Sequence, residues 1–154
     1  MKEAKAGKIE IETDRLIIRT PEDKDVHDIF VLMSDREIAA STGFRPMSTL
    51  SEAEGKIRRE MDGGLMFCIS EKNLPEKVLG VFEITPHKTN TVSGENCNYE
   101  ICYFLHKEAR EKGYMTEVAE RMKRYLFDER MADSLTIAVL PRNDASRRVA
   151  LKSG

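Results

Sequence analysis

Tyr99-Glu100-Ile101-Cys102-Tyr103-Phe104-Leu105 runs into His106-Lys107-Glu108-Ala109-Arg110-Glu111-Lys112, then Gly113, then Tyr114-Met115-Thr116-Glu117. This junction decides the fold. The first seven residues are apolar on both faces, as a central strand requires. The next seven form a short charged loop. From Met115 onward, apolar residues recur at Val118, Ala119, Met122, Tyr125 and Leu126, the spacing of one buried helix face. The first N–H groups of such a helix have no intrahelical acceptor, and its dipole adds about half a positive charge at that end. Gly113 lets backbone approach a ligand closely, and Arg110 and Lys112 add charge. Two readings stay open here. One is an anion site suited to phosphate or pyrophosphate; the other is a plain strand–loop–helix connection with a glycine for tight packing.

On the N-terminal side, Ile9, Ile11 and Leu16 to Arg19 read as strand, broken at Thr13-Asp14. Thr20 is the expected cap and Pro21 the first residue of a helix carrying Val26, Ile29, Phe30 and Met33. Thr42 to Pro46 breaks the chain. Ser51-x-x-Glu54 has the capping-box pattern, predicting a second helix to about Met61, ended by Gly63-Gly64. Leu65–Ser70 and Val78–Ile84 read as strands, and the polar run Thr85–Asn98 as a long hairpin connection. Past the long helix come a strand at Leu135–Leu140 and a last helix capped by Asn143 or Asp144. The order β-α-α-β-β-β-α-β-α implies one α/β domain, a mixed sheet with an antiparallel meander.

Composition narrows the function. The 154 residues carry a net charge of −2, which argues against a general nucleic-acid binder with its basic face. Cys68, Cys97 and Cys102 are odd in number and form no C-x-x-C pair, so no disulfide framework is expected. No apolar run approaches the roughly 20 residues of a membrane span, and Met1 to Lys8 lacks the apolar stretch of a signal peptide. A reducing cytosol is the expected compartment. His27, His87 and His106 have no metal-ligand spacing, so no metal is expected.

The segment Arg110 to Glu117 resembles the acetyl-CoA motif of the GNAT superfamily, Arg/Gln-x-x-Gly-x-Gly/Ala. It is most similar to the branch of ribosomal-protein N-terminal acetyltransferases. Glu12-Thr13-Asp14-Arg15-Leu16-Ile17-Ile18-Arg19 resembles the first strand of that branch, Tyr99–Leu105 the strand before the CoA loop, and Asn143 to Gly154 its last motif. The resemblance implies a mainly antiparallel sheet with helices on both faces. It also implies a reaction: transfer of acetyl from acetyl-CoA to an amine, either a protein N-terminus or a small molecule. Backbone N–H groups from Arg110 through Gly113, Tyr114 and Met115 to Thr116 would hold pyrophosphate, with Arg110 and Lys112 beside it. The strand edge at Tyr103, Phe104 and Leu105 would bond the pantetheine arm as a strand would. Asn143 matches the residue that bonds that arm, and Ser146 a hydroxyl placed to protonate departing CoA. Glu100 is the first candidate for the base, on the expectation that burial raises its pKa; a Glu on a solvated sheet face is the other reading. Glu83 is the second candidate.

Two departures from the motif matter. Met115 stands where the family has Gly or Ala, and Glu111 adds negative charge beside the expected pyrophosphate, so weaker CoA binding is expected. The family also continues beyond the Lys-x-Gly of its last motif into two further strands, which this sequence lacks. The strand at Leu135–Leu140 is then expected to present an open edge, which leaves a shortened chain, a natural early stop, or a homodimer covering the edge. A non-catalytic acyl-CoA-binding or regulatory module is the alternative to an enzyme, and a structural interaction domain a third.

Overall fold

The computed structural model describes residues 7–61, 64–92, 94–130 and 132–154, with side chains omitted at 88–91 and 95. Residues 1–6 of the leader reading, Gly63 of the helix stop and the side chain of Glu95, an acidic residue in the expected Thr85–Asn98 connection, lie outside the described residues.

The chain opens with a hairpin, β1 (Glu10–Glu12) and β2 (Leu16–Arg19), paired antiparallel with Ile11 opposite Ile18. Three helices follow: α1 (Val26–Ser34), α2 (Arg36–Thr42) and α3 (Leu50–Glu60). Then come β3 (Met66–Glu71), β4 (Gly80–Thr91), β5 (Gly94–Leu105), α4 (Tyr114–Asp128), β6 (Ser134–Ile137) and α5 (Asp144–Ser153). The six strands form one sheet in chain order. Every pairing is antiparallel except β5 with β6, which is parallel because α4 carries the chain back across the sheet.

Strand alternation divides the core. Leu16, Ile18, Phe67, Ile69, Phe82, Ile84 and Tyr103 face α4 and meet its stripe of Met115, Val118, Met122, Tyr125 and Leu126. Met66, Cys68, Val81 and Phe104 face the other way, against Ile29, Leu32 and Met33 of α1, Ile38 of α2 and Ala53 and Ile57 of α3. The sheet is thus covered on both faces, as the α/β reading requires.

Local details differ from the sequence reading for identifiable reasons. Thr20 does not cap a helix: its Oγ1 accepts from the Ile9 N–H at 3.2 Å. The chain instead enters α1 through a 3-10 turn at Asp23–Asp25. Asp25 is held there because Arg19, 6% exposed at the end of β2, needs a carboxylate; the two make contacts of 2.7 and 2.8 Å. Asp35 ends α1 and caps a separate α2, its side chain accepting from the Glu37 and Ile38 N–H groups. Thr49, not Ser51, caps α3, and the Glu52 carboxylate accepts from the Ser48 N–H. The hairpin connection expected at Thr85–Asn98 is itself strand, the outer half of a long hairpin, paired from Thr85↔Glu100 to Thr91↔Gly94. β6 is shorter than expected, ending at Ile137.

Candidate active site

The parallel pairing of β5 and β6 stops at Ile101↔Ile137, whereas β5 runs on to Leu105, still paired with β4. The two strands therefore part after Ile101. Phe104 and Leu105 stay in place because their side chains are buried on opposite sheet faces.

Beyond Leu105 the backbone makes a 3-10 turn at Lys107–Ala109, with Ala109 buried. Arg110 then folds back, its Nε donating to the Leu105 carbonyl at 3.2 Å and its Nη1 pairing with Glu37 of α2 at 3.3 Å. It is thus a brace between the loop and α2 as well as a local charge. Glu111 (φ 63°) and Gly113 (φ 77°) both lie in the left-handed region. Gly113 is the N-cap of α4 and brings no side chain to cap it, so among the described residues no side-chain cap takes up the opening amides of Tyr114, Met115 and Thr116. The Tyr114 hydroxyl donates to Glu71 at 3.1 Å. Met115 is 6% exposed and joins the core under α4, which its apolar thioether suits.

The opposite wall comes from α5. Asn143 is its N-cap: its side-chain oxygen accepts from the Ser146 N–H at 3.1 Å, and its Nδ2 donates to the Ser41 carbonyl of α2 at 3.0 Å. The Tyr103 hydroxyl donates to the Ser146 carbonyl at 3.0 Å, tying β5 to α5. Burial pushes the Tyr103 phenol up to about 12, so it remains a protonated donor.

Between these walls lies a cavity of about 610 Å³. Tyr103, Phe104, Leu105, Arg110, Gly113, Tyr114, Met115, Thr116, Asn143 and Ser146 all line it. Lys112 and Glu100 do not. Lys112 sits with its Nζ 5.8 Å from the Tyr114 ring centre. The lining also holds Lys107, Arg148 and Lys152 against Glu37 and Glu111, so cations outnumber anions there. Glu37, Ser41 and Thr42 escaped the sequence reading because α2 was not recognised; Asp35, a good N-cap residue, was the signal that could have found it.

Glu100 occupies the rung opposite Thr136, one before the strands part. Its side chain is 49% exposed and 3.5 Å from His87 Nε2. The burial expected of it is absent. Glu83 lies on the neighbouring strand, opposite Cys102, and pairs with Lys56 at 3.2 Å. Burial raises the Glu60 carboxyl; Lys56 pulls it down and Glu83 pushes it up. Burial, with Glu83 and Glu100 adding to it, pushes the Cys102 thiol up to about 11. Among the described residues no cluster of His, Cys, Asp and Glu could hold a metal ion, and no helix is long and apolar enough to cross a membrane.

Three comparisons bear on this site. A family profile described as an acetyltransferase (GNAT) domain matches residues 15–154. The chain is 26% identical over 149 residues to an uncharacterized N-acetyltransferase, YoaA, of Bacillus subtilis, covering 94% of this chain and 81% of that protein. Two solved structures share the fold. Spermidine N-acetyltransferase from Vibrio cholerae, in complex with CoA and spermine, has a TM-score of 0.76 at 18% identity, covering 90% of this chain and 79% of that one. Ribosomal-protein-S5-alanine acetyltransferase from Vibrio fischeri has 0.75 at 19%, covering 95% and 82%.

Proposed function

The chain belongs to the GNAT acetyltransferase family, and from that premise we propose that it transfers an acetyl group from acetyl-CoA to a primary amine. The observation that carries the proposal is the cavity itself. It lies at the parting of β5 and β6 and is roofed by a helix N-terminus that has no side-chain cap.

The residues present fit acetyl-CoA. A pyrophosphate needs amide donors and positive surroundings; the opening amides of α4, with Arg110, Lys107, Arg148 and Lys152, supply both. Gly113 has no Cβ to obstruct a close approach. A pantetheine arm needs strand-like partners, and the β5 edge past Ile101 offers them. Asn143 would bond the same arm, with its side chain already fixed between α5 and α2. Glu111 would oppose binding; its exposed position keeps that penalty within about 1 kcal/mol.

When bound, acetyl-CoA supplies a thioester carbonyl open to attack by an amine. Glu100 is the group we assign to take the proton from the incoming ammonium. Standing outside the cavity one rung before the strands part, its half-exposed carboxylate would do so through water and pass the proton to solvent. Glu83 is less suited because Lys56 already occupies it. The Ser146 hydroxyl would protonate the departing thiolate. The acceptor amine we propose is either a protein N-terminus or a small molecule.

The test is thiol release from acetyl-CoA against a panel of peptide and small-molecule amines, run with Glu100→Gln. Amine-dependent release, reduced about a hundredfold or more by Glu100→Gln, supports the reading. Wild-type rates in Glu100→Gln would remove Glu100 from the mechanism. A second reading, a non-catalytic acyl-CoA-binding module, draws on the position of Glu100 outside the cavity. CoA binding with no release for any amine would favour it.

A further inference from the structure

The phosphate loop is gripped from behind by a residue that does not line the cavity. Arg15 opens β2's hairpin on the far side of the loop. Its Nη1 donates to the Lys112 carbonyl at 2.8 Å, and its guanidinium carbon lies 4.6 Å from the Tyr114 ring centre. The same side chain is anchored on α4. Its Nε and Nη2 reach Glu117 Oε2 at 2.8 and 2.7 Å, and its backbone N–H donates to Glu117 Oε1 at 3.0 Å. Thr13 donates its hydroxyl to that same Oε1. Glu117 is one turn into α4 and is fully engaged by these bonds.

The peptide between Lys112 and Gly113 is planar and trans, so its C=O and N–H point in opposite directions. With the carbonyl fixed on Arg15, the Gly113 N–H points away from Arg15. Gly113 lines the cavity, whereas Lys112 and Arg15 do not. Left-handed positions at Glu111 and Gly113 lie on either side of Lys112, the residue that supplies this carbonyl. Non-glycine residues such as Glu111 adopt that region only when their surroundings hold them there.

We propose that Arg15 is a positioning residue for the donor site. By holding the Lys112 carbonyl, it aims the Gly113 amide into the cavity at the anion that the loop receives. This rests on the acetyl-CoA reading above. Arg15 touches no ligand and transfers no proton. Its effect passes through one peptide plane, and Glu117 and Thr13 are there to hold the guanidinium.

Calorimetry with CoA and amide NMR spectra test it. In the wild type, CoA shifts both the Gly113 amide and the β5-edge amides of Tyr103 and Leu105. In Arg15→Ala, affinity for CoA falls about tenfold, the size of one hydrogen bond to a charged acceptor. The Gly113 amide then no longer shifts at saturating CoA, while Tyr103 and Leu105 still do. Arg15→Lys retains the charge without the fork that spans Glu117 and Lys112, and keeps the fold if the alanine variant does not; it also loses the Gly113 shift. Unchanged affinity and an unchanged Gly113 shift in either variant would overturn the proposal. Equal loss at both ends of the site would reduce Arg15 to a merely structural role and overturn it too. A wild type that binds no CoA would instead overturn the donor-site reading, and this inference with it.

Discussion

The same substitution, glycine to alanine, should have opposite signs at two positions, and the backbone alone decides which. Gly113 has φ 77°. A Cβ there would meet only Arg15 Nη2, at 3.5 Å, an ordinary contact. The cost of Gly113→Ala is therefore conformational, about 1–2 kcal/mol for an L-residue in the left-handed region. Gly55 lies inside α3, and its Cβ would meet only the flexible end of Arg59 at 3.4 Å. Gly55→Ala should gain about 0.5–1 kcal/mol, because glycine loses more chain entropy than alanine in a helix. At about 2–4 °C per kcal/mol for a chain this size, Gly113→Ala lowers Tm by roughly 2–8 °C and Gly55→Ala raises it by roughly 1–4 °C. Asn tolerates the left-handed region better than Ala, so Gly113→Asn should recover part of the loss. Thermal and urea unfolding monitored by circular dichroism measure all three. CoA affinity should fall with Gly113→Ala and hold with Gly55→Ala, since only Gly113 lines the cavity. Two shifts of the same sign, or a neutral Gly113→Ala, would refute the reasoning.

Asp25→Ala should cost about 3–5 kcal/mol in urea unfolding, because it removes both close carboxylate bonds of the buried Arg19 guanidinium and leaves it only the Thr20 carbonyl at 3.3 Å and Glu22 at 3.9 Å. Glu117 makes a pH prediction. Burial pushes its carboxyl up, but the bonds from Thr13 and Arg15 outweigh that and hold it below its ordinary 4.5. A depressed folded value contributes stability that is present above 4.5 and lost as pH falls below it. Glu117→Gln should therefore be less stable than wild type at pH 7, with the gap narrowing through acid unfolding below that value. Cys102 at about 11 is thiolate in only about one molecule per thousand at pH 8. Native-state alkylation should spare it, and the fully buried Cys68 as well, while both label in urea. Rapid native labelling of Cys102 would contradict the burial assigned to it.

Much of the fold was legible because the elements that bury most surface have strict periods. The α4 stripe from Met115 to Leu126 and the doubly apolar β5 fixed the centre of the molecule, and Asn143 was recognisable as a cap. What failed were features set by tertiary partners. Nothing local says that Arg19 will be buried and recruit Asp25, or that Thr20 will bond back to Ile9. The outer hairpin from Thr85 to Gly94 has polar residues because it extends past the core, so its strands carry no apolar alternation. In the site, ten of the thirteen candidates meet around one cavity, since they belong to one strand end, one loop and two helix starts; Glu83 is held away on β4 by Lys56. Lys112 and Glu100 do not, because a loop side chain and a strand face are chosen by neighbours the sequence does not order. Arg15 stood in the recognised first-strand segment, but its grip on Lys112 spans 97 residues and no local spacing could reveal it.

The central claim is the acetyl-CoA site at the parting of β5 and β6. The most direct test is the melting temperature with and without excess acetyl-CoA. At a hundred times its dissociation constant, a ligand adds about 2.7 kcal/mol, or roughly 5–11 °C here. The account predicts a rise of that size, abolished by reversing the cavity's charge with Arg148→Glu and Lys152→Glu together. No shift at millimolar acetyl-CoA would contradict it.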